Sequence, residues 1–362
     1  MKIRLKGTIV ALAASLALMG FLTACSQQGL GPSGSSTIAL NETGSSLLYP
    51  LFNLWVPVYT NANPNVRITT QSTGSGTGIS QSVEGIVQIG ASDAYISDAQ
   101  MKQHPEMLNI PLAISMQMVN YNLPGLNDKN LKLSGPVLAG IYQGNIPEWD
   151  DAAIRKLNPG MHLPHKAIIP VHRTDGSGDT FIFTQYLAFS TPEWAKGLNY
   201  GTTISWPAVP GGLGAVGNPG MITAVQDSPY SIAYIGSSYQ DAIEKAGIGI
   251  AMLENQDGKF ILPEAKTAAA AAAVMVPKTP KDQRISLIFA PGPDSYPIIN
   301  YEYALVKSKQ PSAEMAATLR KFFTWAISPD GGNASSFMEQ VHFVPLPDAV
   351  AKLSADQIAE IQ

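Results

Sequence analysis

Short apolar stretches alternate along this chain with segments in which apolar residues recur every three or four positions. The first kind predicts strands and the second predicts helices, and their alternation predicts an α/β fold. Strands are expected at residues 66–71, 86–91, 112–122, 167–172, 232–235 and 298–307. Helices are expected at residues 51–60, 78–84, 152–157, 180–188, 221–227, 312–327 and 354–361. The alanine run 268–273 is read as a further helix, because alanine is the best helix former and Pro277 lies just beyond it.

Two of the strands are long and mixed in character. Residues 112–122 (LAISMQMVNYN) and 298–307 (IINYEYALVK) combine apolar residues with amides or tyrosines. Each is a candidate for a strand that leaves one domain and enters another. If both cross, one domain is split in sequence around a second. The expected division is then 37–115 with 300–362 as the first lobe and 116–299 as the second.

Three glycine- and hydroxyl-rich loops each open a predicted helix. They are T43-G-S-S-L-L-Y-P50, G74-S-G-T-G78 and R173-T-D-G-S-G-D-T180. Pro50 suits a first helical turn, where its missing N–H is not needed. A helix start leaves its first N–H groups unpaired, and those donors with the helix dipole favour an anion. Glycine lets the backbone come close, and serine adds a small donor. One such loop is an ordinary cap; three in one chain, one of them carrying Arg173, point to an anion site. Asp93 follows the apolar stretch Ile86–Ile89, at the carboxyl end of an expected strand, where ligands of open α/β sheets lie. The commoner use of such an aspartate is to cap a turn.

Other chemistries find little support. The chain has neither G-x-x-x-x-G-K-[ST] nor G-x-S-x-G. Asp175-x-Ser177-x-Asp179 resembles the start of a calcium loop, but Tyr186 stands where its last ligand belongs. His162 and His165 lie in a proline-rich loop without metal-ligand spacing. His172 finds no nucleophile–acid set around it. Neither a metal nor any other cofactor is expected.

The chain's first 24 residues read as a targeting segment. Lys2, Arg4 and Lys6 precede an apolar run from Thr8 to Phe21 that is short for a membrane span. Leu22-Thr23-Ala24-Cys25 then resembles a lipobox, with Cys25 as the lipidation site. Cys25 is the only cysteine, so no intrachain disulfide is possible. Residues 25–36 are rich in Gly, Ser and Gln and read as a flexible tether. The expected place is therefore the cell membrane, lipid-anchored and facing outside the cytoplasm. The net charge is -4, and loss of the three leader cations takes it to -7. Such an acidic body excludes nucleic acid as a natural partner. It also means that attraction for an anion must be local.

The stretches LLYPLFNLW, GSGTGISQ, IGASDAYIS, IYQGNIPEWDDAAI, HRTDGSGDTFIFTQYL, AYIGSSY and YPIINYEYALV, in this order, closely resemble the phosphate-binding lipoproteins of high-affinity Pst ABC transporters, in their actinobacterial form. The likeness runs from about Asn41 to Leu346. It implies a type II periplasmic-binding-protein fold, with two α/β lobes joined by two crossing segments and inorganic phosphate enclosed between them. It implies ABC permease subunits as partners and no catalysis. Carried over by motif, Leu47, Leu48 and Tyr49 match the first-loop contact, Ser75 the second-loop serine and Asp93 the buried carboxylate. Arg173 matches the phosphate-binding arginine, and Ser177 and Gly178 the third-loop donors. Leu48 and Asp179 stand where better-known members have threonine. The first departure removes a hydroxyl, which Ser46 is placed to replace; the second gives the site two carboxylates.

In this reading Arg173 offers a planar fork to phosphate oxygens. Asp93, an acceptor only, pairs with a P–OH but meets unprotonated sulfate as an unpaired buried charge. Such a mismatch costs on the order of several kcal/mol. The competing readings are a receptor for sulfate or molybdate, a secreted phosphatase, and a surface adhesin. The lipobox carries its own test. Cys25→Ala leaves the protein unlipidated, either uncleaved or shed into the medium; normal processing with retention at the membrane, seen by fractionation and mass spectrometry, contradicts it.

Overall fold

A computed structural model describes residues 37–362. Cys25, the leader and the tether lie outside the described residues. The strands in chain order are β1 (Ile38–Gly44), β2 (Val66–Thr69), β3 (Ile89–Ser92), β4 (Met107–Tyr121), β5 (Lys132–Leu133), β6 (Ile169–Arg173), β7 (Leu213–Ala215), β8 (Ser231–Gly236), β9 (Gly249–Ile250), β10 (Met252–Glu254), β11 (Phe260–Ile261) and β12 (Ile299–Lys307). One large sheet runs β2-β1-β3-β12-β4-β8-β6-β7, with β9 also paired to β4. The order β11-β10-β5 forms a small second sheet.

The large sheet has two parallel wings. β1 runs parallel to β2 and β3, and β6 runs parallel to β7 and β8. Antiparallel pairs involving β12 and β4 join the wings. Parallel strands need crossover helices on their faces, which leaves them buried on both sides. β4, fifteen residues long, lies in the middle of this sheet between β12 and β8; it is buried at every position and shows no two-residue alternation. β4 changes partners along its length: Met107 to Met116 lie opposite β12, and Gln117 to Tyr121 lie opposite β8. β12 begins at the same place, with Ile299 across from Met116.

The predicted elements are present with shifted ends. The expected strand at 86–91 begins only at Ile89, because the preceding helix Ser75–Glu84 ends on left-handed Gly85 and the Ile86 N–H closes back onto Gln81 O. The expected helix at 354–361 is the second half of Asp348–Ala359, which starts directly after Pro347. The alanine run lies within Ala265–Met275. β1 is absent from the predicted set; its residues IALNETG have little β character, and pairing with β2 and β3 on both sides makes it a strand.

The helix Tyr49–Ala62 follows the first loop and anchors that loop to the core. It buries Leu51, Phe52, Trp55 and Tyr59. Trp55 packs against Phe52, Phe322 and Trp325, with ring centroids 5.6, 6.4 and 6.0 Å away. Its Nε1–H donates to Gly332 O at 2.8 Å. Trp55→Ala is expected to destabilise the protein by ~3–5 kcal/mol, through lost burial and a cavity. Trp55→Phe keeps a ring but strands the Gly332 carbonyl, a loss of ~1–3 kcal/mol. Denaturant midpoints give both values; equal stability of the alanine variant contradicts this anchoring.

Candidate anion-binding site

Three strands, two from one parallel wing and one from the other, end at one place. β1 ends at Gly44, β3 at Ser92 and β6 at Arg173. Gly44 sits at φ +142°, and any Cβ there would collide with Ala91 O. Glycine is therefore required for the two strand ends to meet. The following residues turn into helices: Tyr49–Ala62, Ser75–Glu84 and Gly178–Ser190. Pro50 lies in the first turn of one, Gly74 at φ +90° precedes the second, and Ser177 Oγ accepts the Thr180 N–H at 3.1 Å to cap the third. By geometry the first N–H groups of each helix lack intrahelical carbonyls, and for the third helix these are Gly178 and Asp179.

Asp93, 1% exposed, is the centre of the first cluster. Ser45 Oγ–H donates to Asp93 Oδ1, and Ser75 Oγ–H donates to Oδ2 at 3.3 Å. The Asp93 N–H in turn donates to Ser75 Oγ at 3.1 Å. The N–H groups of Leu47 and Leu48 donate to Ser45 Oγ at 3.1 and 3.0 Å, and that of Tyr49 donates to Ser45 O at 3.1 Å. The first loop thus uses its three expected donors on Ser45, a residue the sequence reading left out, and through Ser45 reaches Asp93. Ser46 is buried in this loop. Its Oγ accepts from Asn218 N and Nδ2 at 3.3 and 3.0 Å.

Arg173 is the centre of the second cluster. Its Nε–H donates to Asp175 Oδ1 at 2.7 Å, its Nη2 pairs with Asp175 Oδ2, and its Nη1–H donates to Asp179 Oδ2 at 2.6 Å. Each terminal nitrogen keeps one further N–H. Burial alone would lower the guanidinium's pKa, but the two carboxylates outweigh it and raise it. For Asp175, burial is outweighed by Arg173, and the carboxyl titrates below its usual range. Asn218 Nδ2 donates to Asp179 Oδ2 at 2.9 Å and fixes its orientation. Since Asp175 and Asp179 both hold Arg173, the motif they share is not a calcium loop.

The two clusters touch. A Cβ on Gly178 would collide with the Asp93 carboxylate and with Ser75 Oγ, so only glycine lets the third helix start come this close. The Gly76 N–H donates to Gly176 O at 2.8 Å. Ser238 Oγ–H donates to Leu47 O at 2.7 Å, and Tyr239 Oη–H to Ser46 O at 2.9 Å. Asp179 Oδ1 is buried with no hydrogen-bond partner among the described residues. Burial first, and then the charge of Asp93, push the Asp179 carboxyl up to about 7. Burial also raises Asp93, against the lowering effect of Glu302, Ser45, Arg173 and Ser75.

A fourth carboxyl, Glu302 of β12, completes the cluster and was not anticipated. It is fully buried and accepts from Ser115 Oγ at 2.6 Å. No local motif surrounds it; only the pairing of β12 with β3 brings it here. His172 stacks on Trp206 with ring centroids 5.1 Å apart. His165 Nδ1 lies 3.0 Å from Glu148 and 3.2 Å from Asp150 in an ion-pair cluster around an exposed imidazole. One buried cation, helix-start donors and an acceptor-only carboxylate can together hold a protonated oxyanion.

Comparisons with known proteins agree with this geometry. Residues 31–330 match the model of the PBP superfamily domain. A phosphate-binding protein PstS of Methanocaldococcus jannaschii is 35% identical over 345 residues, covering 90% of this chain and 87% of the relative. A phosphate-binding protein PstS3 of Mycobacterium bovis is 30% identical over 319 residues, covering 85% of this chain and 83% of the relative. Among solved structures, a high-affinity periplasmic phosphate-binding protein with bound phosphate (PfluDING) superposes with a TM-score of 0.70 at 20% identity. That match covers 87% of this chain and 92% of the other, and it establishes the fold as that of the periplasmic binding proteins. With this coverage and identity, the chain belongs to the PstS family of phosphate-binding proteins, within the PBP superfamily.

Proposed function

We propose that this protein captures inorganic phosphate outside the cytoplasm and delivers it to the permease of an ABC importer. The observation that carries this reading is the meeting of Arg173 with Asp93 at three helix starts. A site for a fully deprotonated oxyanion needs donors alone. Here Asp93 already accepts from two serines and, as a carboxylate, offers only further acceptor positions. A ligand suited to it carries its own proton, as phosphate does near neutral pH. The names of the relatives support phosphate, and a receptor for sulfate or molybdate is the weaker alternative. The mycobacterial relative supports the actinobacterial form of the family.

The reading extends to the architecture. We infer two lobes, 37–115 with 300–362 and 116–299, because β4 changes partner between Met116 and Gln117 and β12 starts opposite Met116. Arg173, Ser177, Gly178 and Asp179 then belong to one lobe and Leu47, Leu48, Tyr49, Ser75 and Asp93 to the other. The bond from Gly76 to Gly176 and those between Ser46 and Asn218 become inter-lobe contacts of a closed form. Asp179, with one oxygen on Arg173 and the other unpartnered, is in this reading a second acceptor for ligand protons. Binding, closure and release need no bond to break, so we infer a binder and not a phosphatase. Lipid on Cys25 with the 25–36 tether would keep this body beside the permease.

Titration calorimetry tests both halves of the site. Arg173→Ala is expected to weaken phosphate binding by ~2–4 kcal/mol, more than Ser75→Ala or Ser177→Ala alone, since a charged hydrogen-bond partner is lost. Unchanged affinity in a folded Arg173 variant would show that the anion binds elsewhere. The double variant Asp93→Asn/Asp179→Thr is expected to keep phosphate and to gain sulfate, because the unpaired charges facing sulfate are gone. If it still rejects sulfate as the parent does, selectivity does not rest on these carboxylates.

A further inference from the structure

Glu302 lies in β12, and Asp93 directly follows the neighbouring strand β3, at the floor of the site. β12 runs antiparallel to β3 with Tyr303 opposite Ser92 and Ala304 opposite Ala91. Glu302 and Asp93 each lie one residue beyond the Tyr303–Ser92 pair, on the same side of it. Directly opposed side chains in an antiparallel pair are close enough to interact, and like charges there are unfavourable. The Asn300 side chain reinforces the register by donating to Asp93 O at 2.5 Å. Each carboxyl shifts the other's titration, Glu302 lowering Asp93 and Asp93 raising Glu302.

Every charged group around this pair is identifiable. Ser115 of β4 donates to Glu302 Oε1 at 2.6 Å. Asp179, at the start of the Gly178–Ser190 helix, adds a second negative neighbour. Arg173 at the end of β6 acts on Asp93, but it is already held by Asp175 and Asp179. One arginine thus serves four carboxyl groups in a dry site. Two opposed carboxylates cannot both be ionised there, and the pair must share a proton.

The donors decide which residue carries the proton. Asp93 receives hydrogen bonds from Ser45 and Ser75, whereas Glu302 receives only one from Ser115. Glu302 Oε2 is buried with no hydrogen-bond partner among the described residues. An Oε2–H facing a carboxylate accounts for that orphaned atom. Burial first, and then the Asp93 charge, raise Glu302 well above the usual carboxyl range, in the same sense.

We propose that Glu302 is a positioning residue for ligand selection: it carries a proton, donates it to Asp93, and so holds Asp93 as an anion with one acceptor position left. A carboxylate has about four acceptor positions. Ser45, Ser75 and Glu302 fill three, and the ligand's P–OH takes the last. An ionised Glu302 would instead add a negative charge beneath the anion. This proposal rests on the phosphate reading above and explains how Asp93 stays ionised at that depth.

Two variants and one spectrum test it. Glu302→Gln replaces the O–H donor with a neutral N–H donor. Phosphate affinity is expected to stay within about threefold of the parent at neutral pH. Glu302→Leu removes the donor, and affinity is expected to fall on the order of tenfold or more. In infrared difference spectra, parent minus Glu302→Gln, the carbonyl band of a protonated carboxyl should appear, with no phosphate present. An ionised glutamate would not produce that band. Absence of the band overturns the proposal, and so does a Gln variant that binds phosphate tenfold more tightly, which is the mark of a removed charge. A folded Leu variant with parental affinity also overturns it. If Glu302→Leu does not fold, the Gln variant and the spectrum still decide. A parent that binds no phosphate sinks the phosphate reading alone, because the infrared band reports the proton without ligand.

Discussion

The site depends on desolvation of the Arg173 charge. A guanidinium at 1% side-chain exposure is tolerable only with anionic partners, and Asp175 and Asp179 supply them. That arrangement fixes the planar fork in one orientation, with an N–H on each terminal nitrogen left over. It also neutralises Arg173 before any ligand arrives. Attraction for an anion then comes from geometry, from oriented donors at short range, and not from a broad positive field. This resolves how a body of net negative charge can hold an anion: the long-range field is screened within about a nanometre at physiological salt, while buried donors are not.

Backbone proximity does the rest. Gly44, Gly74 and Gly178 bring strand ends and helix starts to distances that a Cβ would forbid. The N–H groups exposed there have no partner within their own helices, and enclosure makes an unsatisfied donor costly. Ser45 shows how tightly the first loop is specified. Its single hydroxyl donates to Asp93 while accepting from Leu47 and Leu48, so the loop's backbone shape and the Asp93 carboxylate position are one constraint.

In the proposed reading, selectivity arises from the surplus of carboxyl groups. A site with donors alone would welcome any tetrahedral oxyanion. Carboxylates at Asp93 and Asp179 would call for an incoming anion that brings protons, which favours phosphate over sulfate at neutral pH. The cost is carboxyl groups held at abnormal pKa in a dry interior, with Asp179 pushed up to about 7. Such strain is usual where function and stability compete.

The sequence by itself determined the local chemistry: α/β alternation, the three glycine- and hydroxyl-rich helix starts, Arg173, and the aspartate after an apolar strand. These features were legible because a helix start and its loop are contiguous, so hydrogen-bonding potential can be read from neighbouring residues. Ser45, Asn218 and Glu302 were not legible. Ser45 is one hydroxyl among several in its loop, and its role exists only because β1 and β3 end side by side. Asn218 acts through Ser46 and Asp179, distant in the chain. Glu302 sits in a strand whose mixed residues single out none of them, and only the pairing of β12 with β3 brings it beside Asp93. Helix starts follow from nearest-neighbour sterics; which strands become neighbours, and in what register, depends on packing of the whole chain, and that is what only the tertiary structure decided.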